Sequence, residues 1–342
     1  MSTKTAIVIL NWNGEQMLSQ FLPNVIRNSE EEGVEIIVAD NGSTDNSCQL
    51  IDKQFPTVRL VSLGHNYGFA EGYNRALKFV EAQYLILLNS DVEVTPGWLK
   101  PMIEYMNMHP EVAACQPKLL SHRRRDKFEY AGAAGGYIDK YGYPYCRGRV
   151  FETVEDDNGQ YDDVRQVFWA SGAALLVRKS VYDQVGGLDG KFFAHCEEID
   201  LCWRIASRGH KIVCLPFSKV YHVGAATLKK ENPKKTYLNF RNNRLMLYKN
   251  LPEEELGTIM RVRFALDIVA ALVFLLQGNW EACKAVFRAL RDAKKMKPEF
   301  QEARRLNLSQ AVDHKPYGRA SFCLPWESKI KRKKLFSQLG TA

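Results

Sequence analysis

Near its start the chain alternates short apolar runs with amphipathic stretches, and this limits its fold more than any other feature. Thr5–Leu10, Val34–Asp40, Val58–Ser62 and Tyr84–Asn89 are rich in Val, Ile and Leu and have the length of buried strands. Between them, Glu15–Asn28, Asp45–Gln54 and Ala70–Ala82 read as helices. A βαβα order predicts an α/β fold, a parallel sheet covered by helices. Ligands of such sheets bind beyond the C-terminal strand ends. The polar residues expected there are Asn11, Asp40, Asn66 and Asp91.

The pattern then loosens. Between Val112 and Pro216 lie a glycine-rich patch, an acidic loop at Glu152–Asp163, a long strand candidate at Val164–Arg178 and a further strand at Lys211–Leu215. This part reads as a second half of the same domain. After Leu251-Pro252 only helices are expected. The organisation predicted is a catalytic domain over residues 1–251, with halves 1–110 and 111–251, and a basic helical region over 252–342.

An apolar share of 46% and a charged share of 25% describe an ordinary folded protein, so global disorder is excluded. The eight cysteines show no CxxC and no repeated spacing, which disfavours a zinc site or disulfide framework and points to a reduced, cytoplasmic compartment. The N-terminus lacks the pattern of a secretory signal. The net charge of +8 is uneven: from Thr258 onward seventeen Lys and Arg face seven Asp and Glu, leaving the preceding part near −2. An evenly basic, nucleic-acid-binding surface is therefore not expected.

Four segments carry chemistry. Asp40-Asn-Gly-Ser-Thr-Asp45 closes a strand and opens a helix. Its residues suit a turn and N-cap, and a carboxylate there can also read a nucleotide. No G-x-G-x-x-G loop accompanies it, which argues against hydride transfer. Tyr84-Leu-Ile-Leu-Leu-Asn-Ser-Asp91 brings Asn89 and Asp91 to a strand end, where a carboxylate can share Mg²⁺ or Mn²⁺ with substrate phosphates. In Glu197-Glu-Ile-Asp-Leu-Cys-Trp-Arg204, both glutamates open a helix whose dipole favours their charged form, as a general base requires. Asp200 and Arg204, four residues apart, can pair on one face. His222, after the last strand, is either structural or a metal ligand.

Taken in order, these segments resemble the family 2 glycosyltransferases of GT-A fold, over about Thr5–Leu251. The motifs carrying the resemblance are Ile7-Val-Ile-Leu-Asn-Trp-Asn13, Asp40–Asp45, Asn66-Tyr-Gly-Phe-Ala-Glu-Gly-Tyr-Asn74, Leu88-Asn-Ser-Asp91, Gly187-Leu-Asp, Glu197–Leu201 and His222. The likeness is greatest to the rhamnosyltransferase-like branch of bacterial cell-surface polysaccharide enzymes. It implies that Asp40 reads the donor base, that Asn11 and Asn66 line the nucleotide pocket, and that Asn74 lies close by. It also implies Asp91 as principal ligand of Mg²⁺ or Mn²⁺, with His222 as the second and Asn89 where a fuller metal motif carries an acid. Glu198 becomes the base, with Glu197 as the alternative, and Asp200 and Arg204 support them. The reaction implied is inverting transfer from dTDP-rhamnose or a UDP-sugar to a glycan or lipid-linked glycan hydroxyl. The alternatives are a sugar-phosphate nucleotidyltransferase, which calls for a basic N-terminal loop that Asn11-Trp-Asn-Gly14 does not provide, and a catalytically silent binding module.

The tail has its own signal. In Arg261–Leu276, Arg261, Arg263 and Asp267 interrupt an apolar stretch and disfavour a membrane span. Trp280–Lys295 places Ala282, Val286 and Ala289 near one helix face, and Lys329-Ile-Lys-Arg-Lys-Lys334 is densely basic. Peripheral contact with the anionic inner face of a bacterial cytoplasmic membrane is expected. The alternative is a helical bundle docked on the catalytic domain or on another subunit, as in a homo-oligomer.

Overall fold

A computed structural model describes residues 5–224 and 232–340. The expected start is present: β1 (Thr5–Asn11), α1 (Glu15–Asn28), β2 (Val34–Asp40), α2 (Ser47–Gln54), β3 (Arg59–Ser62), α3 (Gly68–Leu77) and β4 (Tyr84–Leu88). There follow β5 (Val92–Val94), α4 (Lys100–Met108), β6 (Val112–Ser121), the short strands β7 (Gly136–Ile138), β8 (Pro144–Cys146), β9 (Arg149–Val150), β10 (Thr153–Val154) and β11 (Arg165–Gln166), and then β12 (Ala174–Arg178). The remaining elements are α5 (Lys179–Gln184), α6 (Glu197–Ser207), β13 (Lys211–His222), α7 (Pro233–Asn250), α8 (Glu253–Leu276), α9 (Trp280–Met296) and α10 (Gln301–Ser309).

The main sheet runs β11-β13-β6-β12-β4-β1-β2-β3, with β5 paired to β13, and β7–β10 form a second, antiparallel sheet. The fold is thus the α/β class expected, a mostly parallel sheet between helices. Successive side chains of a strand point to opposite faces, and β1 shows it. Ala6 and Val8 enter one apolar core with Tyr73 and Ala76 of α3, while Ile7 and Ile9 enter the other with Leu18 and Leu22 of α1.

Two expectations are corrected. Val164–Arg178 is not one strand. β11 pairs with the edge strand β13, whereas β12 lies antiparallel between β4 and β6. Between them, Phe168 and Trp169 turn aside to hydrogen-bond Gly136 of the small sheet. Nor is the region after Pro252 purely helical. Pro316 and Gly318 interrupt it, and the backbone at Gly318 and Ala320 instead pairs with Ile138 of the small sheet. The basic run there is partly neutralised, because Lys331 and Lys333 both reach Glu327. Helix also begins earlier, at Pro233, and α7 packs on α6, α8, α9 and α10.

Within α8, Arg263 and Asp267 face inward and bond to each other at 2.8 Å. Arg244 of α7 joins Asp267 at 2.9 Å. Among the described residues no helix is long and apolar enough to cross a membrane.

Candidate active site

β13 carries the residue that organises the first cluster. Pro216 has no N–H to give a ladder, and pairing of β13 with β6 slips between Leu215 and Lys219. Beyond the slip, His222 lies opposite Val92, next in chain to Asp91. His222 Nε2 comes within 3.1 Å of Asp91 Oδ1 and 3.3 Å of Asn89 Nδ2. Its Nδ1 lies 3.4 Å from Glu129 Oε1, an ion-pair distance without hydrogen-bond alignment. Asp91 Oδ2 accepts from the Gly224 N–H at 3.2 Å.

These groups are buried, and their charges support one another. Burial works against the Asp91 carboxylate, but the hydrogen bond and charge of His222 outweigh it and hold Asp91 below its ordinary range. Burial likewise opposes the His222 imidazolium, yet Glu129 and Asp91 raise it to about 10.

Whether this cluster suits a divalent cation turns on its donors. The described residues contain no group of three His, Cys, Asp or Glu side chains arranged for a metal. Asp91 Oδ1 and His222 Nε2 do converge, and Glu129 stands at ion-pair distance behind the other ring nitrogen, on the side from which a carboxylate commonly supports a ligating histidine. Two such donors fit Mg²⁺ or Mn²⁺ when a diphosphate supplies further oxygens.

A second cluster lies at the ends of β1 and β2. Asn11 Nδ2 is 3.4 Å from Asp40 Oδ1 and 3.1 Å from Ser43 Oγ. Asp40 Oδ2 accepts from the N–H groups of Gly42 and Ser43, so Asp40 shapes the turn as its residue type suggested. Asn66 Oδ1 accepts from Asn41 Nδ2 at 3.3 Å and from the Gly68 N–H at 2.9 Å. A β-carbon on Gly14 would sit 2.3 Å from Asn11 Oδ1 and 4.0 Å from Ser90 Oγ, so the ends of β1 and β4 border one space.

The third cluster opens α6. The loop before it holds Phe193, His195 and Cys196 at positive φ. At Phe193, with φ 66° and ψ −60°, the Ala194 N–H donates back to Phe192 O at 2.8 Å. This is a γ-turn of the rare, strained hand. Three contacts hold the loop in place. The first N–H groups of α3, at Phe69 and Ala70, donate to Phe193 O. Gly68, at φ +81°, admits the Phe193 ring, which a β-carbon would meet at 2.4 Å. Asn242 Nδ2 of α7 lies within 2.8–2.9 Å of the carbonyls of Phe192, Ala194 and His195.

Glu197 and Glu198 follow this loop, each with a buried oxygen that has no hydrogen-bond partner. Burial, with the neighbouring Glu198 charge, pushes Glu197 well above the ordinary range. Burial raises Glu198 to about 6, against a smaller opposing effect of its backbone donors. Desolvation therefore outweighs the helix-start effect on which the sequence reading relied. Glu198 faces Gly172, whose notional β-carbon would be 3.6 Å from Glu198 Cβ. The next residue, Ala173, accepts the Asn89 N–H at 3.0 Å, so the acid and metal-type clusters adjoin across one backbone contact.

The remaining sequence candidates are engaged in bonds of their own. Asn74 clamps the turn at Leu188, donating to its carbonyl at 2.7 Å and accepting its N–H at 3.0 Å and the Tyr182 hydroxyl at 2.8 Å. Asp200 pairs with Arg204 at 3.0 Å, and also with Lys249 and Asn250 of α7 at 2.9 and 2.8 Å. Sequence reasoning missed Glu129, which no spacing links to His222, and Asn242, an amide inside a helix.

A profile of glycosyl transferase family 2 matches residues 6–185. The N-acetylglucosaminyl-diphospho-decaprenol L-rhamnosyltransferase of Mycobacterium tuberculosis is 28% identical over 240 residues, covering 65% of this chain and 76% of that protein. Rhamnosyltransferase WbbL of Escherichia coli is 25% identical over 223 residues, covering 63% and 82%. Among solved structures, a mannosyltransferase of Pyrobaculum calidifontis in complex with GDP-Man and Mn²⁺ superposes with a TM-score of 0.54 at 12% identity, over 91% of this chain and 84% of that one. Matched by the family profile over more than half its length and folded on the GT-A plan, the chain belongs to glycosyl transferase family 2.

Proposed function

We propose that the chain transfers a sugar, rhamnose foremost, from a nucleoside diphosphate donor to a hydroxyl of a glycan or lipid-linked glycan, with inversion at the anomeric carbon. The observation that carries this reading is the adjacency of two unlike clusters. An acid with an unpartnered oxygen, Glu198, faces Gly172, and the next residue, Ala173, bonds the backbone of Asn89, whose side chain touches His222 beside Asp91. A single displacement needs a base on the acceptor side and charge stabilisation on the leaving-group side. The rhamnosyltransferases among the relatives support the choice of sugar.

In this reading the cluster at the ends of β1 and β2, Asn11, Asp40 and Asn66, holds the nucleoside. Glu198 takes the proton of the acceptor hydroxyl as its oxygen attacks the anomeric carbon. The bond from that carbon to the donor phosphate oxygen breaks, and the nucleoside diphosphate leaves. Glu197, likewise raised by burial and by the Glu198 charge, stands beside it. Asp91 and His222 would hold Mg²⁺ or Mn²⁺, which supplies neutralisation of the leaving diphosphate when bound. Residues 1–251 form the catalytic unit in this scheme, working at the cytoplasmic face of the membrane.

The test is transfer and donor hydrolysis by the purified full chain across a panel of nucleotide sugars that includes dTDP-rhamnose, with Mn²⁺. Glu198→Gln is expected to lower turnover about 10²–10⁴-fold while leaving nucleotide affinity in place. Near-normal turnover in Glu198→Gln together with its loss in Glu197→Gln would move the base to Glu197. Retention of activity in both, or no release of nucleoside diphosphate from any donor, would end the proposal.

A further inference from the structure

Of the three charges that break up α8 in the sequence, Arg261 is exposed one turn before the apolar part, while Arg263 and Asp267 do not reach the outer face. Arg263 and Asp267 are buried against each other, and Arg263 also bonds Asn243 Oδ1 and the Tyr141 carbonyl. What α8 presents outward is a continuous apolar stripe of Phe264, Val269, Leu272, Val273 and Leu276, prolonged by Trp280 at the start of α9. Leu276 is 87% exposed and Trp280 61%. From Phe264 to Leu276 the stripe extends about 18 Å along the helix. It ends on the turn joining the α8–α9 hairpin, and no described segment of the chain covers it. Isolated exposed apolar residues need no explanation, but a contiguous run of this size marks an interaction surface.

The rim of the stripe is cationic. On α9, Lys284, Arg288, Arg291, Lys294 and Lys295 are exposed, while Ala282, Val286 and Ala289 face the protein. Phe287 adds a further exposed ring among these cations. An apolar face with Trp, Phe and Leu, bordered by Lys and Arg, is the makeup of a helix lying in the headgroup–acyl boundary of a bilayer. Tryptophan at the tip favours the same depth. A second copy of the chain would bring an identical row of cations to this rim, whereas anionic headgroups neutralise it.

We propose that the α8–α9 hairpin is a monotopic membrane-docking element, with Leu272, Leu276 and Trp280 inserted among acyl chains and Lys284 and Arg288 on anionic headgroups. This stands independently of the sugar-transfer reading.

The full chain is floated with phosphatidylcholine vesicles with and without phosphatidylglycerol, at low and high salt. Wild type is expected to float with the phosphatidylglycerol vesicles, and less so at high salt. Leu276→Glu/Trp280→Glu is expected to lose that binding at least about tenfold, with an unchanged melting temperature. Lys284→Glu/Arg288→Glu is expected to lose the phosphatidylglycerol dependence. Leu276→Ser, a milder change at the same exposed site, should weaken binding in the same direction even if the double variant folds poorly. Wild type that stays with the unbound fraction, or unaltered flotation of both Leu276 variants, overturns the proposal. So does a concentration-dependent dimer in sedimentation that the Leu276→Glu/Trp280→Glu change abolishes while no vesicles are bound; the face is then an interface between copies.

Discussion

His222 Nε2 lies 3.1 Å from Asp91 Oδ1 across 131 residues of sequence, and the other side of the same ring faces Glu129. The imidazole therefore has one carboxylate where a cation would enter and a second at ion-pair distance on its far side. His222→Ala and Asp91→Ala should each abolish Mn²⁺-dependent binding of a nucleoside diphosphate, as measured by calorimetry. Glu129→Gln keeps the shape and removes the charge, so a loss of about 10–100-fold in metal affinity is expected. An unchanged affinity in Glu129→Gln would make that residue a packing neighbour only.

Glu198 also leaves a mark on stability. Its carboxyl is raised from an ordinary 4.5 to about 6 in the folded chain. The native state therefore binds more protons than the unfolded chain between these values, and stability falls as pH rises through that window. Near neutral pH the charged acid costs about 1–2 kcal/mol. Glu198→Gln should accordingly be more stable than wild type by about that amount near neutrality and should lose the advantage near pH 4.5, as urea titrations at both pH values would reveal. Wild-type turnover should rise with pH through about 6 as the base ionises.

Asp200 is the hub of a buried ionic network. It is fully buried and shared by Arg204, Lys249 and Asn250. Lys249→Ala removes a buried cation and leaves two carboxylates, Asp189 and Asp200, short of a partner. A destabilisation of about 3–5 kcal/mol is expected by denaturant unfolding. Arg124→Ala, whose pair with Asp126 is exposed on both sides, should change stability little.

Much of the first half was legible because its signals are local. The strands β1, β2 and β4 are largely apolar runs; Asn11 and Asp40 close the first two, and Asp91 comes three residues after the third. What stayed hidden depends on pairing. The slip at Pro216 that sets His222 against Val92 is a register between distant strands, and Glu129 reaches His222 only through it. The same holds for β12: its composition marks a strand, but nothing local tells that it runs antiparallel between β4 and β6. In α8 the charges were visible but not their direction, so Arg263 and Asp267 read as breaks in an apolar face that they never touch. The strain at Phe193 is likewise invisible in its residue type, because a loop is forced into that turn by contacts with α3 and α7.

Asn242 has two amide hydrogens, yet three carbonyls of the loop before Glu198 crowd around them. Its helix thus works as a mould for a segment that its own residues would not bend into that shape. A chimera that exchanges the C-terminal helices of this chain for those of another must cut after Asn250; cut in front of Pro233, it would take the mould away and release the loop on which the acid stands.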